Sequence, residues 1–207
     1  MIGHLLESVH QSNIDEKPTI IVGYKKELVI AELGEKYHYI NQENQLGTGH
    51  AVNLAKDYLE DKADHVMVLY GDQPFIKVQT LKNINELHLK SGKKITMATV
   101  KLPDFKDWRI NFVNFSRIIR DENGKIIKDV QFKDATDKEI KITEVNPSFY
   151  CFEAKWLWEN LKHLKTDNVQ KEYYLTDLIK IATGEGIEIE SIEIEPLEAL
   201  GANTRAE

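Results

Sequence analysis

Val66-Met67-Val68-Leu69-Tyr70-Gly71-Asp72-Gln73-Pro74 is the stretch on which the fold turns. A run of apolar residues without polar alternation reads as a strand buried on both faces, the pattern of a parallel sheet covered by helices. Gly71 and Pro74 end it in a loop. Asp72 then stands at the C-terminal end of a strand, on the edge where α/β sheets hold their ligands.

Working outward, Gln45-Leu46-Gly47-Thr48-Gly49-His50-Ala51 is a small-residue loop leading into a helix. Ala51, Leu54, Ala55, Tyr58 and Leu59 form that helix's inner face. Ile2, Leu5, Leu6 and Val9 predict a helix beginning almost at Met1. Thr19–Val22 reads as a strand, Lys25 to Leu33 as a helix closed by Gly34, and Tyr37 to Ile40 as a short strand. Val78 to Lys90 is helical and ends at Gly92. This alternation predicts a Rossmann-like, doubly wound α/β fold with a mainly parallel sheet. Ile95 to Leu102 adds a strand. Phe112 to Arg120 and Lys125 to Phe132 flank Asp121-Glu122-Asn123-Gly124, which predicts a β-hairpin insertion. Ile140 to Phe152 is a further extended run. Trp156 to Leu164 and Tyr173 to Ala182 read as helices, and Ile187 to Ile194 as a closing strand. No linker-like composition divides the chain, so residues 1–207 are expected to form one domain. In a doubly wound fold each helix returns from a strand, and none precedes the first helix here. Either the architecture starts unusually, or the first strand and its phosphate loop are missing.

The chain has 207 residues and a net charge of −7, without the basic face that broad nucleic-acid binding requires. A local basic pocket for a phosphorylated small molecule remains compatible with that balance. Cys151 is the one cysteine. It excludes an intrachain disulfide, suits a reducing cytoplasm, and reads as a buried thiol in Phe149-Tyr150-Cys151-Phe152. No apolar run is long enough to span a membrane, and no signal-peptide pattern is visible.

Taken singly, each motif has a plain structural reading beside its chemical one. Gly47-Thr48-Gly49 can bring backbone N–H groups to a nucleotide, or simply cap the next helix. The Gln45 amide can pair with a base edge, since it both donates and accepts. Asp72 can hold Mg²⁺, which takes few protein groups, or close its own turn. Glu172-Tyr173-Tyr174-Leu175-Thr176-Asp177 can line a sugar, or start a helix. His50 reads as a helix packing residue.

Their joint order resembles the nucleotidyltransferase domain of the bifunctional N-acetylglucosamine-1-phosphate uridylyltransferases, and sugar-1-phosphate nucleotidyltransferases more widely. The matching stretches, in family order, are Gln45 to Ala51, Leu69-Tyr70-Gly71-Asp72, Lys133-Asp134-Ala135-Thr136, Glu144-Val145-Asn146, Glu172 to Asp177, and Gly201-Ala202-Asn203-Thr204-Arg205. The resemblance implies a nucleotide-diphospho-sugar transferase-like fold and transfer of UMP from UTP to a sugar-1-phosphate. It implies that Gln45, Gly47 and Thr48, with Tyr70 and Gly71, hold the nucleotide, and that Asp72 and Asn203 are catalytic and share Mg²⁺. Asn146, Tyr174 and Thr176 would line the sugar-phosphate pocket. A binder of sugar nucleotides without catalysis, or a transferase for another nucleotide or a phosphocholine-type acceptor, stays open beside that reading.

The departures fall in two places. The family's Gly-x-Gly-Thr-Arg-Met loop does not occur in these residues, so impaired catalysis is expected. The β-helix acetyltransferase domain does not follow Glu207, so acetyl transfer is not expected. Around the sugar, the family's Tyr-Gly-Arg stands as Phe115-Ser116-Arg117, an acidic residue stands as Gln131, and Asn followed by Thr or Ser and Gly stands as Asn146-Pro147-Ser148. Ser116 and Gln131 are therefore carried as sugar-side residues whose change alters specificity. The oligomeric state is not legible.

Overall fold

The computed structural model describes residues 1–201. In chain order the elements are α1 (Ile2–Ser12), β1 (Thr19–Val22), α2 (Lys26–Leu33), β2 (His38–Asn41), α3 (Thr48–Leu54), α4 (Lys56–Leu59), β3 (His65–Val68), α5 (Val78–Ser91), β4 (Ile95–Lys101), β5 (Arg117–Arg120), β6 (Ile126–Val130), β7 (Glu144–Val145), β8 (Tyr150–Glu153), α6 (Ala154–Leu161), α7 (Asp177–Gly184) and β9 (Glu190–Glu193). Short 3₁₀ turns at Asp107–Phe112, Phe132–Asp134, Glu139–Lys141 and Pro196–Ala199 fill the connections.

The α/β class and the hairpin stand, but the sheet is mixed rather than mainly parallel. Strands β1 and β2 pair in parallel as a small sheet of their own. The main sheet has seven strands in the order β3-β8-β4-β7-β5-β6, with β9 beside β4. Strand β8 runs antiparallel to both β3 and β4. The β3–α5–β4 unit thus has the parallel sense its alternation predicts, with a late strand of opposite sense between its two strands. Strand β9 lies parallel to β4.

Strand β3 also differs from a strand buried on both faces. Val66 is buried, whereas Met67 and Val68 are half-buried. Among the described residues β3 pairs with β8 alone. The fully buried strand is β4, in which all residues from Ile95 to Val100 are buried.

Local chemistry accounts for the other differences. The run Ile140 to Phe152 breaks into β7 and β8 because Ser148 adopts a left-handed φ of 67° after Pro147. The helix expected from Tyr173 begins at Asp177, because the Tyr173 backbone is hydrogen-bonded elsewhere. The hairpin turn closes at Gly124, with φ 81°. Trp156, Leu157, Trp158 and Leu161 of α6, with Leu178, Ile179 and Ala182 of α7, cover one side of the sheet. Helices α1 and α5 supply Leu5, Val9, Leu81 and Ile84 to the other side. No helix among the described residues is long and apolar enough to cross a membrane.

Candidate active site

Two loops distant in sequence are joined backbone to backbone. The Tyr173 N–H donates to the Leu46 carbonyl at 2.8 Å, and the Gly49 N–H donates to the Tyr173 carbonyl at 2.8 Å. The Thr48 Oγ1 accepts the Leu175 N–H at 3.0 Å. Gly47, with φ 107°, leaves no room for a side chain, since a Cβ there would stand 2.7 Å from the Tyr173 carbonyl oxygen. A Cβ on Gly49 would collide with the Leu164 side chain. These glycines admit the Glu172–Tyr173 backbone, a demand independent of any ligand. Gln42 Nε2 donates to the Gly47 carbonyl at 3.1 Å and lies 2.9 Å from His50 Nδ1. His50 is thus a packing residue of the loop. Gln45 remains exposed, with its amide over Gly23 at the end of β1.

The loops after β1, β2 and β3 carry Gly23, Gln45 and Asp72. Burial pushes the Tyr70 phenol up to about 12, offset in part by the Thr48 and Ser148 hydroxyls beside it. Gly71 packs over Ile2 of α1, and a Cβ there would lie 3.5 Å from Ile2 Cδ1. Asp72 is exposed and makes no side-chain hydrogen bond or ion pair among the described residues. Its neighbour Gln73 is buried and fixes the turn. The Gln73 N–H donates to the Tyr70 carbonyl at 3.1 Å. Gln73 Nε2 donates to the carbonyls of Pro147 at 2.9 Å and Ala199 at 3.3 Å. The segment leading toward residue 203 is thereby pinned beside Asp72, while Asn203 itself lies outside the described residues. An uncommitted carboxylate at a strand end fits a hard cation that takes one or two protein oxygens. Among the described residues no group of three or more His, Cys, Asp or Glu could hold a metal.

The sugar-side candidates occupy the join of the hairpin, β7 and the start of α7. Gln131 Nε2 donates to Thr176 Oγ1 at 2.9 Å. The Tyr174 hydroxyl is buried without a well-aligned partner, and burial, then the Asp134 charge, raises its pKa. Asn146 is only 2% exposed. Its Nδ2 donates to Asp129 Oδ2 and to the Tyr150 hydroxyl, and its Oδ1 accepts the Ser148 N–H at 2.7 Å. The Asn146 N–H donates to the Ser116 carbonyl at 3.1 Å. Both N–H bonds of its amide are engaged within the protein, so Asn146 holds the turn to Ser148 and has no free amide N–H to offer.

Two residues at this join have structural roles not assigned from sequence. Arg117 is fully buried. Its guanidinium donates to the carbonyls of Val113 at 2.8 Å, Ile140 at 3.2 Å and Phe115, and it lies over the rings of Phe105 and Phe132. Asp129 lies opposite Ile118 in the hairpin. Burial pushes its carboxyl up to about 7, against the pull of the Ser116 hydroxyl and the Asn146 amide. Its one sequence signal is an acid beside Val130 in an expected hairpin strand.

Comparison with known proteins gives the family. A family model described as Nucleotidyl transferase matches residues 1–193. The chain belongs to the nucleotidyl transferase family. It is 38% identical over 206 residues to the bifunctional protein GlmU of Clostridium acetobutylicum, covering 99% of this chain and 43% of that protein. It is 39% identical over 210 residues to the bifunctional protein GlmU of Acetivibrio thermocellus, covering 100% of this chain and 43% of that protein. The chain thus spans less than half the length of these relatives. A crystal structure from Bacillus anthracis assigned as a glucose-1-phosphate thymidylyltransferase superposes with a TM-score of 0.71 at 20% identity, covering 94% of this chain and 74% of the other. That likeness establishes the fold.

Proposed function

We propose that this nucleotidyl transferase transfers UMP from UTP to a sugar-1-phosphate, with N-acetylglucosamine-1-phosphate or a related sugar as acceptor. The observation that carries the reading is the joining of Leu46–Gly49 to Tyr173–Leu175 beside the strand end that bears Asp72. The segments that this reading gives to nucleotide and to sugar are thereby hydrogen-bonded to each other.

In this reading Gln45 meets the base edge, and Gly47 and Thr48, with Tyr70 and Gly71, face the nucleotide. Asp72, with Asn203, would hold a Mg²⁺ ion, which would supply neutralisation of phosphate charge. Tyr174, Thr176, Gln131, Ser116 and the turn shaped by Asn146 bound the acceptor. An oxygen of the sugar-1-phosphate attacks the α-phosphorus of UTP, a new P–O bond forms, and the bond to pyrophosphate breaks. The protein contributes alignment, and no covalent intermediate on a side chain is required. Ser116, Gln131 and Ser148 stand where the resemblance carries other residues, a difference that bears on which sugar is accepted.

A Gly-x-Gly-Thr-Arg-Met loop would supply further donors to the triphosphate. Turnover by these 207 residues alone is therefore expected to fall about 10²-fold or more below that of a chain carrying such a loop. Pyrophosphate release, measured with UTP, CTP, dTTP and GTP against several sugar phosphates, tests the proposal. Preference for UTP with an amino-sugar phosphate supports it. Preference for another nucleotide, or tight UDP-sugar binding with no turnover after the loop is supplied, overturns it.

A further inference from the structure

Asp129 is a carboxylate placed where a carboxylate is costly. It is 9% exposed, has no basic group bonded to it, and its Oδ1 has no well-aligned hydrogen-bond partner, with only the Ser116 hydroxyl beside the carboxyl. An apolar residue on this face of β6 would avoid that cost, so the position must be read from what the other oxygen does. Oδ2 accepts from Asn146 Nδ2, while the Ser148 N–H donates to Asn146 Oδ1 from the opposite side. The amide is gripped at both ends. Reversing it would turn its oxygen against a carboxylate and its NH₂ against an N–H donor, and would forfeit both bonds.

What the grip controls is the turn Asn146-Pro147-Ser148. Ser148 is held at a left-handed φ of 67°, a conformation unfavourable for serine. Ser148 is also the half-buried polar corner of this turn, whereas Asn146 and Pro147 are buried. The Pro147 carbonyl accepts from Gln73, the neighbour of Asp72. The chain of contacts therefore runs from Asp129 through Asn146 to Ser148 on the acceptor side and to the Asp72 turn.

We propose that Asp129 is the positioning residue of the acceptor-sugar side, fixing the Asn146 amide and with it the Asn146–Ser148 turn in the shape that offers hydrogen bonds to a sugar hydroxyl. This rests on the uridylyl-transfer reading for the ligand and on the geometry alone for the grip.

Calorimetric titration of the 207-residue chain with UMP and with UDP-N-acetylglucosamine separates the sugar side from the nucleotide side. Asp129→Leu is expected to weaken UDP-N-acetylglucosamine about tenfold and UMP less than about twofold, the effect of one misplaced hydrogen bond. Asp129→Asn keeps an acceptor oxygen toward Asn146 and is expected to restore affinity to within about threefold of wild type. If Asp129→Leu does not fold, Asp129→Ala takes its place. Equal losses on both ligands, or no rescue by Asp129→Asn, overturn the proposal. A second arm needs no ligand. The Asn146 side-chain amide protons, followed by NMR, are expected to exchange slowly in wild type and Asp129→Asn and fast in Asp129→Leu. Unchanged exchange in Asp129→Leu overturns the grip. A wild-type chain that gains no affinity from the sugar counts against the proposed acceptor instead, and the exchange arm then decides the role of Asp129.

Discussion

The Thr48 hydroxyl oxygen accepts the backbone N–H of Leu175 at 3.0 Å, across 127 positions of sequence. One side chain thus couples the Gly-Thr-Gly loop to the segment entering α7, and its hydroxyl also faces Tyr70 at the end of β3. Thr48→Val keeps the shape and removes the acceptor. Leaving a part-buried N–H without its partner is expected to cost about 1–3 kcal/mol of stability. Chemical denaturation of both proteins checks the value.

Gly47 makes a sharper case. Its φ of 107° and the 2.7 Å clearance to the Tyr173 carbonyl both exclude a side chain. Gly47→Ala is expected to destabilise by about 2 kcal/mol or more, or to open the loop and abolish UMP binding. Gly3→Ala in α1 meets nothing within 4 Å and is expected to be neutral or to stabilise by up to about 1 kcal/mol. Melting curves of the two variants compare strain with helix propensity directly.

Much of this was legible in local chemistry. Gly34 and Gly92 end α2 and α5 with φ of 75° and 63°, and Asn123-Gly124 turns the hairpin, because positive φ belongs to glycine. The place of β8 between β3 and β4 was not legible, because Phe149–Phe152 is equally apolar whichever strands flank it. Nor was the start of α7, since the Tyr173 N–H and carbonyl serve Leu46 and Gly49, residues remote in sequence. Among the described residues, the candidates lie on adjoining loops and strand ends. Sequence alone did not reveal that the Asn146 amide is committed inward, nor that an acid two residues before Gln131 holds it.

The Asp129 carboxyl gives a pH signature of definite sign. Its folded value of about 7 lies above the ordinary carboxylate value of 3.8, through burial first and the Asp177 charge last, against Ser116 and Asn146. The neighbouring Tyr150 phenol, raised well above its ordinary value by burial, stays neutral throughout. A group with a raised folded pKa contributes stability that is full below its unfolded pKa and lost as pH rises through the folded one. Wild type is therefore expected to lose stability relative to Asp129→Asn between about pH 4 and pH 7, with no further divergence above. Paired melting curves across that range check it.

Asp72 is exposed and uncommitted, so its replacement tests chemistry with little effect on folding. Asp72→Asn is expected to leave the melting temperature within about 2 °C of wild type, since an exposed site changes stability by less than about 0.5 kcal/mol. It is expected to lower pyrophosphate release by about 10²-fold or more, the scale of losing an electrostatic partner of the transition state. Chelation of divalent cations is expected to reproduce the loss in wild type without adding to it in the variant.

The most direct test of the central claim is coupled pyrophosphate release with UTP, N-acetylglucosamine-1-phosphate and Mg²⁺. It is run on the 207-residue chain and on the same chain carrying a Gly-x-Gly-Thr-Arg-Met strand and loop ahead of Met1. The account predicts UDP-sugar formation by the second, at least about 10²-fold faster than by the first, and abolished by Asp72→Asn. No UDP-sugar from either protein, with turnover of a different nucleotide or of none, would contradict it.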